Sequence, residues 1–245
     1  MKPFLKVIII THNEEIMLPF ILDHYERLFT DVQFKIYDNL STDKTVEIAT
    51  ERGCEVVSFE SGGMSDTIHA IHKSKEAVIN DATWKFLIDC DEAIYITQEE
   101  LENLDATLIK FKGWELFDFV SSPYKANCKA CESAGYSKPV GVRCGVFSEI
   151  KYAPGAHSIL SIEAAEPSDI RWSKDEFNLI HFKHWSFDYS YHRSVYLAGR
   201  QSADNLKHRY SYHFSLPFET HLSYYTGGMY NKIDIPEPRF KHYTQ

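Results

Sequence analysis

The chain has 245 residues and 44% of them are hydrophobic, so it is long enough to bury a substantial core and is not expected to be disordered. Its formal net charge of -9 disfavours nucleic acid or an anionic membrane as the main partner, because both require a basic surface. An acidic protein can still bind a diphosphate if a metal ion supplies the positive charge.

The sequence shows no segment typical of secretion or membrane insertion. Its apolar start, 5–10, is too short for a signal peptide, and no run of about 20 apolar residues occurs. The five cysteines are odd in number and spread along the chain, which favours reduced thiols over a disulfide framework. We therefore expect a cytoplasmic protein, either free or peripheral to the inner face of the membrane.

One cysteine pair could still bind metal. Cys128 and Cys131 have the spacing of half a zinc site, and Cys144 would be a third ligand. Because no second pair follows, zinc is the weaker interpretation of these thiols.

Strand-like and helix-like segments alternate over the first half of the chain. Apolar, β-branched runs predict strands at 5–10, 34–37, 54–59 and 84–88, and helical spacing predicts helices at 18–28, 44–52, 66–80 and 98–110. Asn13 and Asp43 are the predicted caps of the first two helices. Because helices separate the strands, we expect a parallel sheet with helices on both faces.

The pattern changes at Gly113. Longer strands with mixed faces are predicted at 116–125 and 139–151, and a strand leading to a sheet edge is predicted at 178–186. Residues 188–207 have helical character, whereas the tail from Leu216 has no clear period. The second half is therefore expected to contain a mixed sheet rather than a parallel one.

Two carboxylates close the fourth predicted strand. The apolar run 84–88 ends at Asp89-Cys90-Asp91-Glu92, and alternation along an extended backbone can turn Asp89 and Asp91 to the same side. Two carboxylates this close repel each other unless a cation lies between them, and oxygen ligands suit Mg²⁺ or Mn²⁺. The pattern indicates a divalent-metal site, and a solvated acidic turn is the alternative for this stretch alone.

Polar clusters follow three of the predicted strands. They lie at 11–14, 38–39 and 89–91. The carboxyl ends of parallel strands meet at one edge of a sheet, and ligands bind outside that edge. Three clusters at one edge favour a functional site over an acidic turn.

The three clusters resemble the motifs of a known family. The segments Thr11 to Glu15 (T-H-N-E-E), Tyr37 to Thr45 (Y-D-N-L-S-T-D-K-T) and Trp84 to Glu92 (ending D-C-D-E) resemble, in that order, the family 2 glycosyltransferases of the N-E-E, D-N-x-S-x-D and D-x-D-E branch. The resemblance covers roughly the first 110 residues. It is thinner at Arg143, 155–157 and 181–183.

The resemblance implies a GT-A fold of the α/β class. This is a Rossmann-like, mainly parallel sheet flanked by helices, with a smaller mixed-sheet half and here a helical, aromatic C-terminal extension. Residues 1–112 would form the nucleotide-sugar-binding half, 113–186 the acceptor half of the same domain, and 187–245 the extension.

The resemblance also implies an activity. Such an enzyme moves a sugar from a UDP- or GDP-linked donor to an acceptor hydroxyl, with Mn²⁺ or Mg²⁺ and usually with inversion. A glycan or a lipid-linked molecule would be the acceptor, as in the biosynthesis of surface polysaccharide or glycoconjugates. A homo-oligomer is an open option.

Residues of the nucleotide pocket follow from the matched motifs. Thr11, Asn13 and Glu14 would line the pocket, and Asp38 or Asn39 would hydrogen-bond the base. Many family members have a second aspartate where this chain has Asn39, so the base contact is left between the two residues.

Residues near the diphosphate follow in the same way. Asp91 would bind the metal ion, and Asp89 would bind the ion or face the ribose or a metal-bound water. His181 would complete the set of metal ligands or contact the diphosphate, sharing a strand face with Lys183. Arg143 is a candidate for bidentate phosphate binding, with an exposed salt bridge as the alternative.

The catalytic base is not identified by a motif, because the chain lacks a recognisable E-D pair. Asp175 and Glu176 are candidates, since they fall between the second group of strands and the strand of His181. A solvated turn is the alternative at these two positions. His157, in a second thin match to the family, is a further candidate for the role given to His181.

Two other functions remain open. A sugar-1-phosphate nucleotidyltransferase would require a glycine-rich, basic loop after the first strand, whereas 11–15 is acidic. A non-catalytic protein that binds nucleotide sugars or carbohydrates could share the fold, although the intact Asp89 and Asp91 pair counts against it. A glycosidase is disfavoured, because its two carboxylates lie about 5–10 Å apart across a cleft.

Overall fold

The structure is a computed structural model and describes residues 2–118, 120–125 and 129–234. Its strands are β1 (Leu5–Thr11), β2 (Val32–Asp38), β3 (Glu55–Ser58), β4 (Trp84–Asp89), β5 (Glu92–Tyr95), β6 (Leu108–Phe117), β7 (Lys129–Glu132), β8 (Lys138–Arg143), β9 (Phe147–Tyr152), β10 (Ile159–Ala164), β11 (Asn178–His184) and β12 (Ile233–Asp234). Its α-helices are α1 (Met17–Leu28), α2 (Thr45–Glu51), α3 (Asp66–Ala77), α4 (Gln98–Glu102), α5 (Phe187–Ala198), α6 (Ala203–His208) and α7 (Phe218–Asn231).

The first four strands form a parallel half-sheet in the order β3-β2-β1-β4. β1 lies inside it, paired with β2 on one side and with β4 on the other. Every residue of β1 is buried, so both faces of the sheet are covered there. The parallel sheet predicted from the alternating segments is confirmed.

A mixed half continues the sheet beyond β4. β8 pairs antiparallel with β4 and β6, and β11 lies parallel to β6 and antiparallel to β5. β9 and β10 form a separate antiparallel hairpin. The predicted α/β class, with a parallel first half, a mixed second half and flanking helices, is confirmed.

Burial in the sheet overrides the helix predicted at 98–110, which was wrong in its second part. Helix α4 ends at Glu102, and β6 begins at Leu108. Leu108 and Ile109 pair with β8 and are fully buried, so the sheet decides their conformation.

Two long strands were also predicted with wrong bounds. The segment 139–151 is divided between β8 and β9 by a turn at Gly145, whose φ of +80° favours glycine. The segment 116–125 leaves the sheet after Phe117, and a 3₁₀ turn follows at Pro123–Lys125. The strand expected to lead to an edge, β11, instead lies between β5 and β6 and is buried throughout.

The two predicted helix caps have different outcomes. Asn13 does not cap α1, since it has a φ of 54° and its Oδ1 accepts a hydrogen bond from the backbone N–H of Thr42 at 2.7 Å. Helix α1 begins at Met17 with no side-chain cap. Asp43 accepts a hydrogen bond at 3.0 Å from the backbone N–H of Thr45, the first residue of α2.

The tail from Leu216, which has no clear period, forms α7. Adjacent Gly227 and Gly228 lower its helix propensity, so packing has to stabilise it. Tyr225 is 1% exposed, and Gly228 lies against the ring of Phe117 in β6.

Of the two cysteines that have the spacing of half a zinc site, the structure describes Cys131. Cys128 lies outside the described residues, and the Cys131 thiol donates a hydrogen bond to the carbonyl of Gly228 at 3.2 Å. Within the described ranges, no helix combines the length and the apolar composition needed to cross a bilayer.

Candidate active site

A cavity of about 560 Å³ opens at the carboxyl ends of the parallel strands. Thr11 at the end of β1, Asn39 after β2, and Asp89 and Asp91 at the end of β4 all line it. The strand register accounts for this, because Thr11 lies opposite Asp38 and Ile10 opposite Asp89. The volume is typical of a small-molecule site.

The later part of the chain forms the opposite walls. β11 contributes His181 and Lys183, α5 contributes Arg193, and the segment 209–214 closes one side. His181 and Lys183 both face the cavity, whereas His184 contacts Ser190 instead, with 2.6 Å between Nδ1 and Oγ.

The cavity is more basic than the protein as a whole. Of the described residues that line it, six are lysine or arginine and four are aspartate or glutamate, although the chain has a net charge of -9. The basic residues are Lys73, Lys138, Lys183, Arg193, Arg200 and Arg209, and the acidic ones are Glu14, Asp66, Asp89 and Asp91. A surplus of positive charge in a concave site attracts an anionic ligand.

Two buried lysines bind the carboxylate of Asp89. Nζ of Lys73 lies 2.7 Å from Oδ1, and Nζ of Lys138 lies 2.7 Å from Oδ2. Lys138 also lies 2.5 Å from Oε1 of Glu92. Burial alone would raise the pKa of Asp89, but the two ammonium groups hold it well below its usual value.

Asp91 pairs with His181 across the end of the sheet. Nε2 of His181 lies 3.2 Å from Oδ1 of Asp91, and both residues are buried. Burial opposes the charged forms, but the pair outweighs it, so the pKa of Asp91 is lowered and that of His181 is raised. Tyr136 packs on the His181 ring with 4.6 Å between centroids.

Asp91 and His181 fit the divalent ion that the fold family implies. They offer a carboxylate and an imidazole side by side, and Nδ1 of His181 is buried without a hydrogen-bond partner among the described residues. Mg²⁺ and Mn²⁺ need only one or two protein carboxylates when water and substrate phosphates fill the other positions. Within the described ranges, no group of three or more His, Cys, Asp or Glu side chains has an arrangement that could bind a metal ion. Both carboxylate oxygens of Asp89 are bound by lysines.

Side chains of the N-E-E segment contact side chains of helix α5. Glu14 is buried in an ion pair with the guanidinium of Arg193. Burial raises the pKa of Glu14 to about 7, despite the opposing charge of Arg193. The hydroxyl of Tyr196 lies 2.8 Å from Nε2 of His12 and accepts a hydrogen bond from Nδ2 of Asn13 at 3.0 Å.

Asn39 rather than Asp38 lines the cavity. The Asp38 carboxylate accepts hydrogen bonds from the Ser41 hydroxyl at 2.5 Å and the Ser41 backbone N–H at 2.9 Å, so it braces the turn after β2. The amide nitrogen of Asn39 donates to the hydroxyl of Ser61 at 2.7 Å. Asn13 likewise points to Thr42 and Tyr196 rather than into the cavity.

Besides Asp38 and Asn13, three more predicted site residues do not line the cavity: Arg143, Asp175 and Glu176. Arg143 lies over the ring of Trp84, 5.8 Å from its centroid. Asp175 and Glu176 are exposed, and Glu176 lies 3.2 Å from Nζ of Lys112. The structure thus separates these residues from Asp91 and His181.

The sequence patterns did not point to Lys73, Lys138 or Arg193. One signal was present for Lys73, because positions 66, 70, 73 and 77 fall on one face of α3 and that face is buried. A lysine in such a stripe needs an anionic partner within reach, which here is the partly exposed Asp89. No comparable local signal marks Lys138 or Arg193.

No protein-family model matches the chain, and no curated protein sequence matches it. Similar solved structures include S. aureus TarS 1-349 in complex with UDP-GlcNAc, at 18% identity over 82% of this chain and 66% of that chain, with a TM-score of 0.41. A mannosyltransferase from Pyrobaculum calidifontis in complex with GDP-Man and Mn²⁺ matches at 16% identity over 50% and 37% of the two chains, with a TM-score of 0.32.

A third similar structure is glucosyl-3-phosphoglycerate synthase from Mycobacterium tuberculosis, at 18% identity over 46% of this chain and 44% of that chain, with a TM-score of 0.28. This chain spans about two thirds of TarS 1-349 and 39% of a longer TarS chain.

Proposed function

We propose that this protein is a metal-dependent glycosyltransferase of the GT-A type, which moves a sugar from a nucleoside-diphosphate sugar to an acceptor hydroxyl. The observation that carries the proposal is the basic cavity at the carboxyl edge of the parallel sheet, where the Asp91–His181 pair and two buried lysines meet. Such a cavity suits a ligand that has a diphosphate in its middle.

The diphosphate would lie between the lysines and the Asp91–His181 pair. Mn²⁺ or Mg²⁺ bound by Asp91 and His181 would stabilise the charge of the departing diphosphate. Lys183 would add a positive charge beside the diphosphate. It is buried, its ammonium lies 4.4 Å from the Phe214 ring centroid, and it has no ion pair to any described residue. Burial lowers the pKa of Lys183 to about 8, and a bound diphosphate would favour its charged form.

The nucleoside would lie beside the N-E-E segment. Thr11, Glu14 and Asn39 line that side of the cavity. The amide nitrogen of Asn39 is engaged by Ser61, which leaves its carbonyl oxygen to accept an N–H of the base. We therefore assign the base contact to Asn39 and a supporting role to Asp38.

The finer points of the function rest on the family resemblance. They are inversion at the sugar carbon, a UDP- or GDP-linked donor, and a glycan or lipid-linked acceptor in surface polysaccharide or glycoconjugate biosynthesis. The basic cavity supports the binding of a diphosphate and does not distinguish one sugar from another.

A thermal-shift panel tests the proposal. UDP, GDP, UDP-GlcNAc and GDP-Man are each added with MnCl₂ or with EDTA. A ligand at about 100 times its Kd stabilises a protein by about 2.7 kcal/mol, and about 1 kcal/mol corresponds to about 2–4 °C for a chain of this size. We expect a shift of roughly 5–10 °C for at least one nucleotide with Mn²⁺. The absence of a shift with every nucleotide would refute the proposal.

A matched pair of variants tests the metal ligands. Asp91→Asn should remove the Mn²⁺-dependent part of the shift, because an amide is a poorer ligand than a carboxylate. Asp105→Asn is the control, since its side chain is 93% exposed and lies outside the cavity. An unchanged Mn²⁺ effect in Asp91→Asn would contradict the assignment.

A further inference from the structure

Among the described residues, every carboxylate that lines the cavity already has a partner. Glu14 pairs with Arg193, Asp66 accepts a hydrogen bond from Ser211 at 2.7 Å, Asp89 pairs with Lys73 and Lys138, and Asp91 pairs with His181. Transfer to a hydroxyl requires a group that takes its proton. Because these four carboxylates are already paired, we look to another side chain as the group that accepts the proton.

The imidazole of His157 is free to take a proton. It lines the cavity, it is exposed there, and neither ring nitrogen has a hydrogen-bond partner among the described residues. His12 differs in that both of its nitrogens are engaged, Nδ1 by the Asn39 carbonyl at 2.7 Å and Nε2 by the Tyr196 hydroxyl. An exposed ring with a free nitrogen can meet an incoming hydroxyl.

A strained turn holds His157 in place. It connects β9 to β10, and both Gly155 and Ala156 have positive φ, at 76° and 57°. Ala156 is 1% exposed, so the turn is fixed by burial although the left-handed region is unfavourable for alanine. A Cβ at position 155 would lie 2.9 Å from Cδ2 of His157, so the glycine allows the ring its close approach to the backbone.

The surroundings of His157 keep it uncharged until a proton arrives. Partial desolvation by the cavity walls and the positive charge of Lys138 lower the pKa of His157, so a ring nitrogen is available at neutral pH. The nearby Asp89 acts in the opposite direction and would stabilise the imidazolium once it forms. Tyr136 packs edge-on against His157 and also on His181, which sets both rings on one wall.

We propose that His157 is the general base of the transfer reaction, an inference that rests on the proposed function. The acceptor oxygen forms a bond to the anomeric carbon while the bond from that carbon to the diphosphate oxygen breaks. The electron pair of that bond leaves with the diphosphate, and the hydroxyl proton goes to the free ring nitrogen of His157. The dianionic diphosphate increases the proton affinity of the ring.

Two other histidines of the cavity are less suited to this role. Nε2 of His69 is fully enclosed, so an acceptor cannot reach it. Desolvation and nearby groups that include Lys183 and His181 disfavour the charged form of His213 and so lower its pKa. His157 alone of the three combines exposure with a nearby anion.

Comparing a nucleophile that must lose a proton with one that has none distinguishes a general base from a structural residue. The donor is the nucleotide sugar, UDP-GlcNAc or GDP-Man, that gives the larger thermal shift, and nucleotide release is measured with glycerol or with azide. His157→Gln should reduce the glycerol rate about 10²–10⁴-fold, because glycerol must lose a proton. The azide rate should stay within several-fold of the wild type, because azide has no proton to lose. His208→Gln, on the surface of α6, is the control for both rates.

The outcomes separate the two proposals. A thermal shift by UDP or GDP in His157→Gln shows that the variant folds and binds. An unchanged glycerol rate in this variant, an equal loss with both nucleophiles, or a glycerol-selective loss in His213→Gln instead would overturn the role of His157. If the wild type shows neither a thermal shift nor nucleotide release, the proposed function fails, and the assignment of a base fails with it.

Discussion

Charged side chains in the cavity are paired between distant parts of the chain. Glu14 follows β1 and meets Arg193 from α5, and Asp91 follows β4 and meets His181 from β11. Removing one partner of a buried ion pair leaves an uncompensated charge, which is strongly destabilising. Each pair therefore fixes the position of its residues as well as their charge.

Glu14 makes the stability of the protein depend on pH. Its pKa is about 7 in the folded state and near 4.5 in the unfolded state, so the folded protein binds more protons between these values. Its stabilising contribution is present below pH 4.5 and is lost as the pH rises through 7. We expect this group to lower the free energy of unfolding by about 3 kcal/mol across that window.

Urea unfolding of the wild type and Glu14→Gln at several pH values measures this effect. The difference between their unfolding free energies should change by about 2.5 kcal/mol between pH 5 and pH 8, since glutamine does not titrate. Glu163→Gln, an exposed carboxylate on β10, should follow the wild type at every pH. Parallel curves for the wild type and Glu14→Gln would contradict the raised pKa.

Packing rather than helix propensity determines the position of α7. The Phe117 ring lies between this helix and His184, stacked on the imidazole with 4.8 Å between centroids. Tyr225 also meets Phe117 edge-on, so the ring has little freedom to move. The two adjacent glycines of α7 lie in very different surroundings, which makes them a matched pair.

Gly228→Ala should destabilise the protein and Gly227→Ala should not. A Cβ at position 228 would lie 2.5 Å from Cδ2 of Phe117, whereas one at position 227 meets no described residue within 4 Å. We expect Gly228→Ala to reduce the free energy of unfolding by about 1–3 kcal/mol, as overpacking does. Gly227→Ala should increase it by up to about 1 kcal/mol through helix propensity. Thermal or urea unfolding of both variants measures the contrast, and equal effects would mean that α7 does not pack on β6 as described.

At the scale of the whole molecule, positive charge is concentrated in the cavity. The chain carries a net charge of -9, yet lysine and arginine outnumber aspartate and glutamate six to four in the lining. Long-range repulsion between the acidic surface and an anionic ligand therefore opposes local attraction inside the cavity. Salt screens both terms, and the net effect follows the larger one, which we expect to be the attraction because the basic side chains line the cavity itself.

UDP binding should weaken as salt is added, because direct contacts with the cavity dominate its affinity. We expect the Kd from calorimetry to rise several-fold as the Debye length falls from about 10 Å to about 3 Å. Arg200→Gln should bind more weakly and show a smaller salt dependence, since Arg200 lines the cavity. Lys151→Gln, with its side chain 61% exposed on β9, should match the wild type. A Kd that does not change with salt would show that the basic lining does not contact the nucleotide.

The sequence alone determined the parallel half of the fold and one edge of the site. Buried strands are recognisable from short apolar runs, and parallel strands end at a common edge, so Thr11, Asn39 and Asp91 could be expected to meet. The helical spacing at 98–110 was misleading because Leu108 and Ile109 are buried in a sheet, and that burial depends on strands far along the chain.

Only the tertiary structure decided which charges are partners. Asp89 is bound by Lys73 and Lys138, and Arg193 reaches Glu14 from a helix that follows β11. The physical reason is that electrostatic interactions depend on distance in space and on burial, neither of which is encoded in local spacing. The same holds for His157, which reaches the cavity only because a buried, strained turn directs it there.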